Sequence, residues 1–160
     1  MSEPRRSRLR DEIKQRRPFR SLEHETVLNL LRTAALVSRD HQRVVESSGV
    51  SGEQYNVLRI LRGAGNEGIP TLEVAARMVV PTPGITRLLD KLEAKKLARR
   101  VRCPEDRRQV LCWITPAGLE LLASLDTPVD HAAVAAMSAL RREELVRLVD
   151  LLEKVRSAHD

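Results

Sequence analysis

Apolar positions along this chain recur mostly at helical spacing. From Ser21 to about Ser47, Val27, Leu28, Leu31, Ala34, Ala35 and Val44 share one broad face, which predicts a single long helix. Leu30, Leu36 and Val37 widen that face beyond what one partner helix requires. Ser21 is placed to cap it, and Glu23 and Glu25 favour its start through the helix dipole. Ser47-Ser-Gly-Val50 breaks it, and Ser51-Gly-Glu-Gln54 reads as a capping box. The helix so opened carries Val57, Leu58 and Leu61 and ends at Gly63 and Gly65. A short helix follows from Thr71, read as its cap, with Leu72, Ala75, Ala76 and Val79 as its apolar stripe. Then Ile85, Leu88, Leu89 and Leu92 recur at i, i+3, i+4 and i+7. Thr82 suits the N-cap of this helix and Pro83 its first position, where a missing N–H costs nothing. Thr115-Pro116 repeats that cap signal before Leu119, Leu121, Leu122 and Leu125. Pro128 is expected to end or kink the helix, and Ala132 to Met137 resumes helical composition. A last helix is expected from Ser138, with Leu140, Leu145, Leu148, Leu152 and Val155 on one stripe, flanked by Val149 and Leu151.

Strand patterning is confined to one place. Leu97-Ala-Arg-Arg-Val-Arg102 is basic and partly alternating, and Gln109-Val-Leu-Cys-Trp-Ile114 is rich in strand formers. Pro104-Glu-Asp-Arg-Arg108 between them has turn chemistry and two arginines at its tip. Gly68-Ile-Pro70 supplies a short strand to join the hairpin. Two short helices joined by Val79-Val-Pro-Thr82 and followed by such a hairpin make a winged helix-turn-helix, with Ala75 and Ala76 small enough for close packing. The fold class is therefore mainly α with a small β wing: a winged helix-turn-helix core, about 51–115, flanked by long helices at about 21–47 and 116–157.

Composition narrows the function. The chain has 160 residues, enough for one domain, and only 2% are aromatic, so Leu, Val and Ala must build the core and helices are favoured. The net charge of +6 suits a polyanionic partner but does not by itself identify one. Residues 1–20 form a basic arm (Arg5, Arg6, Arg8, Arg10, Lys14, Arg16, Arg17, Arg20), read either as a solvated tail or as a source of phosphate contacts. Leu9 and Ile13 share one face of a short helix there, ended by Pro18. No apolar run reaches the roughly 20 residues that span a membrane, and no secretory h-region is present, so a cytoplasmic protein without membrane association is expected. Cys103 and Cys112 make no disulfide framework, but they flank the hairpin and are expected near each other across it, leaving a redox switch or idle thiols as readings. His24, His41, His131 and His159 show no metal-ligand spacing with them. With no nucleophile motif or phosphate-cradling loop, no enzyme, metal or cofactor is expected.

The segment Leu72 to Leu122 resembles the MarR family of bacterial transcription regulators. The run Ile85-Thr-Arg-Leu-Leu-Asp-Lys-Leu-Glu93, then Leu97-Ala-Arg-Arg100, Asp106-Arg-Arg108 and Ile114-Thr-Pro-Ala-Gly118 carry the resemblance by their order and spacing. It implies a MarR-like domain over 21–160 whose end helices interlock with a second copy. The homodimer would bind a palindromic operator in double-stranded DNA as a repressor, and a small aromatic or phenolic effector would release it. By the same resemblance Thr82, Pro83, Gly84, Thr86 and Arg87 lie at the DNA end of the recognition helix. Arg87 then reads guanine or clamps a phosphate, Thr86 meets a thymine methyl or a phosphate, and Lys91 and Lys95 touch at most the backbone. In the wing, Arg108 is implied to enter a narrow minor groove, with Arg107 sharing the contact and Asp106 anchoring the arginine. Tyr55 and Trp113 are candidate effector-lining residues, Trp113 more simply filling the sheet–helix core. Two departures from the family pattern stand out: Lys96 where a glycine commonly ends the recognition helix, so that the helix end is expected to differ, and Pro83-Gly84 in place of a small polar pair. An architectural DNA binder with little sequence preference and a thiol-responsive regulator are the alternatives.

Overall fold

The computed structural model describes residues 7–103, 106 and 108–159. The chain divides into two compact units, residues 1–39 and 40–160.

In the first unit, α1 (Arg8–Glu12) buries Leu9 but leaves Ile13 40% exposed. It stops well before Pro18, because the Arg10 guanidinium draws the carbonyls of Gln15 and Arg16 back toward it and Lys14 turns to a φ of 53°. Helix α2 (Leu22–Glu46) opens on Ser21, whose hydroxyl accepts the N–H of His24 at 3.2 Å. That same hydroxyl holds the Glu23 carboxyl below its ordinary pKa. Leu22, Val27, Leu30 and Leu31 are exposed along it.

The second unit takes the end of α2, then α3 (Gly52–Ala64), a 3-10 turn (Gly65–Glu67), β1 (Ile69–Pro70), α4 (Thr71–Ala76), α5 (Ile85–Ala94), β2 (Ala98–Arg102), β3 (Val110–Ile114), α6 (Pro116–Ala136) and α7 (Arg142–Arg156). The strands form one antiparallel sheet in the order β1-β3-β2, with Ile69 opposite Cys112 and Arg100 opposite Cys112 on the other side. Val57, Leu58 and Leu61 of α3, Val74 of α4, Leu89 and Leu92 of α5, Cys112 of β3 and Leu122 of α6 are fully buried together. The Ser51–Gln54 capping box is present in both directions, at 3.3 and 3.1 Å. Thr115 caps α6 with Pro116 in its first turn.

Three local expectations are corrected and one is narrowed. Thr71 does not cap α4 but lies within it, and its hydroxyl donates to the Val110 carbonyl at 3.2 Å. This tie to β3 fixes the phase of the helix, so Val74 and Met78 turn inward while Leu72 and Val79 are 83% and 77% exposed. Thr82 does not cap α5: its hydroxyl folds back to the Val80 carbonyl, and the helix starts two residues past Pro83. Gly84, left-handed at φ 85°, interposes a turn and presents its carbonyl to the N–H groups of Arg87 and Leu88. Of the two outcomes expected at Pro128, an end is excluded: α6 runs through it to Ala136, with Leu125 and Val129 packed on the core on either side and Asp126 held by Arg62 of α3 through bonds of 2.9–3.1 Å. The last helix starts at Arg142, with the Glu144 carboxylate accepting the Arg141 N–H, while Ser138 bonds back to Ala135.

The end of α5 also departs from expectation. Lys96 occupies the left-handed position at φ 59° that a glycine would take, and the helix closes normally around it. The N–H of Lys96 reaches Glu93 and that of Leu97 reaches Leu92, at 2.8 and 2.9 Å, which is a Schellman motif. A lysine there costs about 1–2 kcal/mol of backbone strain, partly offset by glycine's greater freedom when unfolded. Lys96→Gly is therefore expected to stabilise the fold by about 0.5–1 kcal/mol in denaturant titration; a loss of stability would show that the lysine side chain contributes more than its backbone strain costs.

Candidate DNA-binding surface

Burial of Leu89 and Leu92 sets the rotation of α5, and the opposite face follows from the 100° step between residues. Thr86, Arg87, Asp90 and Lys91 all face solvent there. Pro83 and Gly84 are exposed just ahead of them. A Cβ on Gly84 would meet nothing nearer than Arg87 Cδ at 4.0 Å, so glycine is required by the backbone angle rather than by space. Thr82 is half-buried with its hydroxyl engaged, which draws it back from the outer face. Lys95 is also committed elsewhere: its ammonium bonds the Gly49 carbonyl and Gln54 Oε1.

At the wing tip Asp106 acts on backbone. Its Oδ1 accepts the N–H of Arg108 at 3.0 Å, its Oδ2 accepts Gln109 Nε2 at 3.2 Å, and its carbonyl accepts the Gln109 N–H. The carboxylate thus fixes the point from which the Arg108 side chain leaves the chain, and Arg108 itself is exposed. Arg107, and Arg5 and Arg6 of the arm, lie outside the described residues.

Thr86 and Arg108 border one cleft of about 440 Å³, between α4, α5 and the wing, whose walls also include Thr71, Leu72 and Arg100. Arg100 and Thr71 were not among the residues expected from sequence. The signal for Arg100 was present: alternation in β2 puts it on the Ala98 side, toward α5, where Asp90 and Glu93 stand three residues apart.

Trp113 does not fill the sheet–helix core as expected. It lies half-buried across from Arg99, whose guanidinium carbon sits 4.3 Å from the ring centre. Its indole N–H donates to the Asn66 carbonyl, and any side chain at Gly68 would collide with its ring at 2.4 Å. Tyr55 is buried, edge-on to His41 at 5.4 Å, and burial pushes its hydroxyl pKa up and that of His41 down. The two cysteines are not neighbours across the hairpin. Cys103 faces Gln109 and Cys112 faces Arg100, three positions apart and so about 10 Å along the strand, beyond the reach of a disulfide. Burial raises the Cys112 thiol pKa, and Thr71 Oγ1 lies 3.4 Å from its sulfur. Among the described residues there is no cluster of three or more groups able to hold a metal, and no helix long and apolar enough to cross a membrane.

An outward polar helix face, a preceding helix that braces it and an arginine-bearing hairpin define a winged helix-turn-helix nucleic-acid-binding module. Residues 48–109 match the model of the MarR family. The chain is 31% identical over 119 residues to the HTH-type transcriptional regulator MhqR of Bacillus subtilis strain 168, covering 72% of this chain and 79% of MhqR. It is 38% identical to a MarR transcription factor of Planctomyces limnophilus, with a TM-score of 0.67 over 85% of this chain and 98% of that one. It is also 26% identical, with a TM-score of 0.73, to Bordetella bronchiseptica BpsR, over 82% of this chain and 98% of that one. The BpsR structure concerns regulation of DNA binding by 6-hydroxynicotinic acid. The chain belongs to the MarR family of DNA-binding transcription regulators.

The Asp106 anchor makes a prediction of unexpected sign. Deleting a carboxylate near DNA should by electrostatics alone tighten binding. Asp106→Ala is instead expected to weaken it by roughly fivefold, through loss of hydrogen bonds that order the tip. Asp106→Asn, which keeps an acceptor for the Arg108 N–H, should recover most of that loss in a gel-shift or fluorescence titration. Tighter binding by the alanine variant would show that repulsion dominates.

Proposed function

We propose that this regulator is a homodimeric repressor that binds a palindromic operator in double-stranded DNA in the cytoplasm and is released by a small aromatic or phenolic effector. The observation that carries the DNA-reading part is the shared cleft: Thr86 on the recognition helix and Arg108 on the wing border the same opening, with the exposed Arg87 beside them. On this reading Thr82, Pro83, Gly84, Thr86 and Arg87 form the major-groove end, Arg87 reading guanine with both of its terminal nitrogens. Lys91 meets the backbone, and Arg108, with Arg107, enters the flanking minor groove. The basic arm of residues 1–20 adds phosphate contacts without sequence preference.

The dimer is supported by α7, which buries none of its residues although Leu148, Val149, Leu151 and Val155 lie along it. A twofold axis would set two recognition helices in successive major grooves about 34–36 Å apart. The effector is supported by the relation to BpsR.

Two measurements test this. Leu148→Glu with Val155→Glu replaces side chains that are 37% and 48% exposed, so the single chain should still fold. Sedimentation should show a monomer and operator binding should fall by orders of magnitude; an unchanged dimer would place the interface elsewhere. Binding-site selection at fixed salt should find that Arg87→Ala costs about 1–3 kcal/mol at one base position and relaxes preference there. Arg108→Ala should instead reduce the preference for flanking A·T pairs. Uniform weakening on all sequences by both variants would favour an architectural binder.

A further inference from the structure

Arg100 borders the cleft beside Thr86 and Arg108, the place where an arginine would most simply bind a phosphate. Its charge is already engaged. Its Nε donates to Glu93 Oε2 at 2.8 Å, and one terminal nitrogen reaches both Glu93 Oε2, at 2.6 Å, and Asp90 Oδ1. Its backbone N–H donates to Glu93 Oε1 at 2.8 Å. β2 is an edge strand of the sheet, so this N–H points away from β3 and Glu93 satisfies it. One residue of the wing thus grips the recognition helix at two places by its planar fork and at one by its main chain. The Arg100 side chain is only 20% exposed, against 54% for Asp90, so the grip is partly shielded from solvent. Asp90 stands three residues beyond Arg87 and four beyond Thr86, on the same outward face of α5.

We propose that Arg100 is a positioning residue of the DNA interface: by clamping Asp90 and Glu93 it fixes the angle between recognition helix and wing. This inference rests on the proposed reading of Arg87 and Arg108. With the clamp closed, the helix end addresses the major groove and Arg108 the minor groove at one set spacing. The neutralised Arg100 contributes geometry rather than a phosphate contact. Lysine cannot replace it, because a single ammonium cannot fork to two carboxylates and keep their separation.

The test uses the full chain and two DNAs: the selected operator, and a version with the flanking A·T pairs moved one base pair outward. Melting curves check that each variant folds. Arg100→Met and Arg100→Lys are expected to lose roughly tenfold in affinity for the operator. They should also lose most of the wild type's discrimination against the shifted DNA, while keeping its salt slope. A phosphate ligand would behave otherwise: Arg100→Met would reduce the slope by about 0.9 and weaken both DNAs equally, which overturns the proposal. If Arg100→Met fails to fold, Asp90→Asn with Glu93→Gln opens the clamp from the other side. Loss of spacing discrimination in that pair supports the proposal, and retained discrimination sinks it. Arg87→Ala and Arg108→Ala run alongside. If both bind like wild type, the underlying reading of the interface is what has failed, whatever Arg100 does.

Discussion

The DNA face depends on two leucines that never see solvent. Leu89 and Leu92 are fully buried on a helix packed against α3, α4 and β2, and burying each such side chain stabilises by about 1.5–3 kcal/mol. That is more than any exposed polar contact of α5 can offer, so the leucines decide how the helix is rotated. Once they are seated, Thr86, Arg87, Asp90 and Lys91 must point outward. The left-handed Gly84 before the helix and the left-handed Lys96 after it then limit its length to ten residues. A longer helix would carry its start away from the cleft it shares with the wing.

Charge is distributed by a different rule. A net +6 says nothing about which cations are available to a polyanion. Arg62 is held by Asp126 and joins α3 to α6; Lys95 closes the turn after α2; Arg100 is taken up by Asp90 and Glu93; Arg99 lies over Trp113. Among the described residues Arg87 and Lys91 have no ion pair, and Arg108 is tied only through its main-chain N–H. The cations nearest the proposed groove contacts are therefore the ones the fold leaves uncommitted, and several others serve as internal braces.

This division explains what could be read from sequence. Ser51–Gln54, Thr115–Pro116 and the repeat Ile85, Leu88, Leu89, Leu92 were legible because cap chemistry and helical spacing are local. The hairpin was legible because turn residues separate two runs of strand formers. The phase of α4 was not: Leu72 reads as core by type, but the bond from Thr71 to Val110, across 39 residues, turns it outward. Thr82 failed as a cap because Gly84 took a backbone angle that composition permits without requiring. Trp113 was misjudged because its size suggests core, whereas its N–H needed the Asn66 carbonyl and its ring found room only over a glycine. Of the candidate site, the exposed face of α5 and Arg108 at the wing could be placed from the motif, but the bracing could not: Arg100 required knowing that β2 lies beside α5.

Helix α7 shows the same limit from the other side. Its stripe was visible in sequence, yet within one chain none of it is fully buried, and only Leu145 and Leu152 are half-buried. An isolated helix of fifteen residues is marginal in water even with good helix formers, since nucleation is costly and propagation repays it slowly. The Glu144 carboxylate, which accepts the Arg141 main-chain N–H, and the acidic first turn help at its start. They do nothing for Leu148, Val149, Leu151 and Val155, which remain in solvent. What completes such a helix energetically is a second apolar surface. In the proposed dimer a symmetry-related copy supplies it, and the helix that looks redundant in one chain becomes the element that joins two DNA-reading modules.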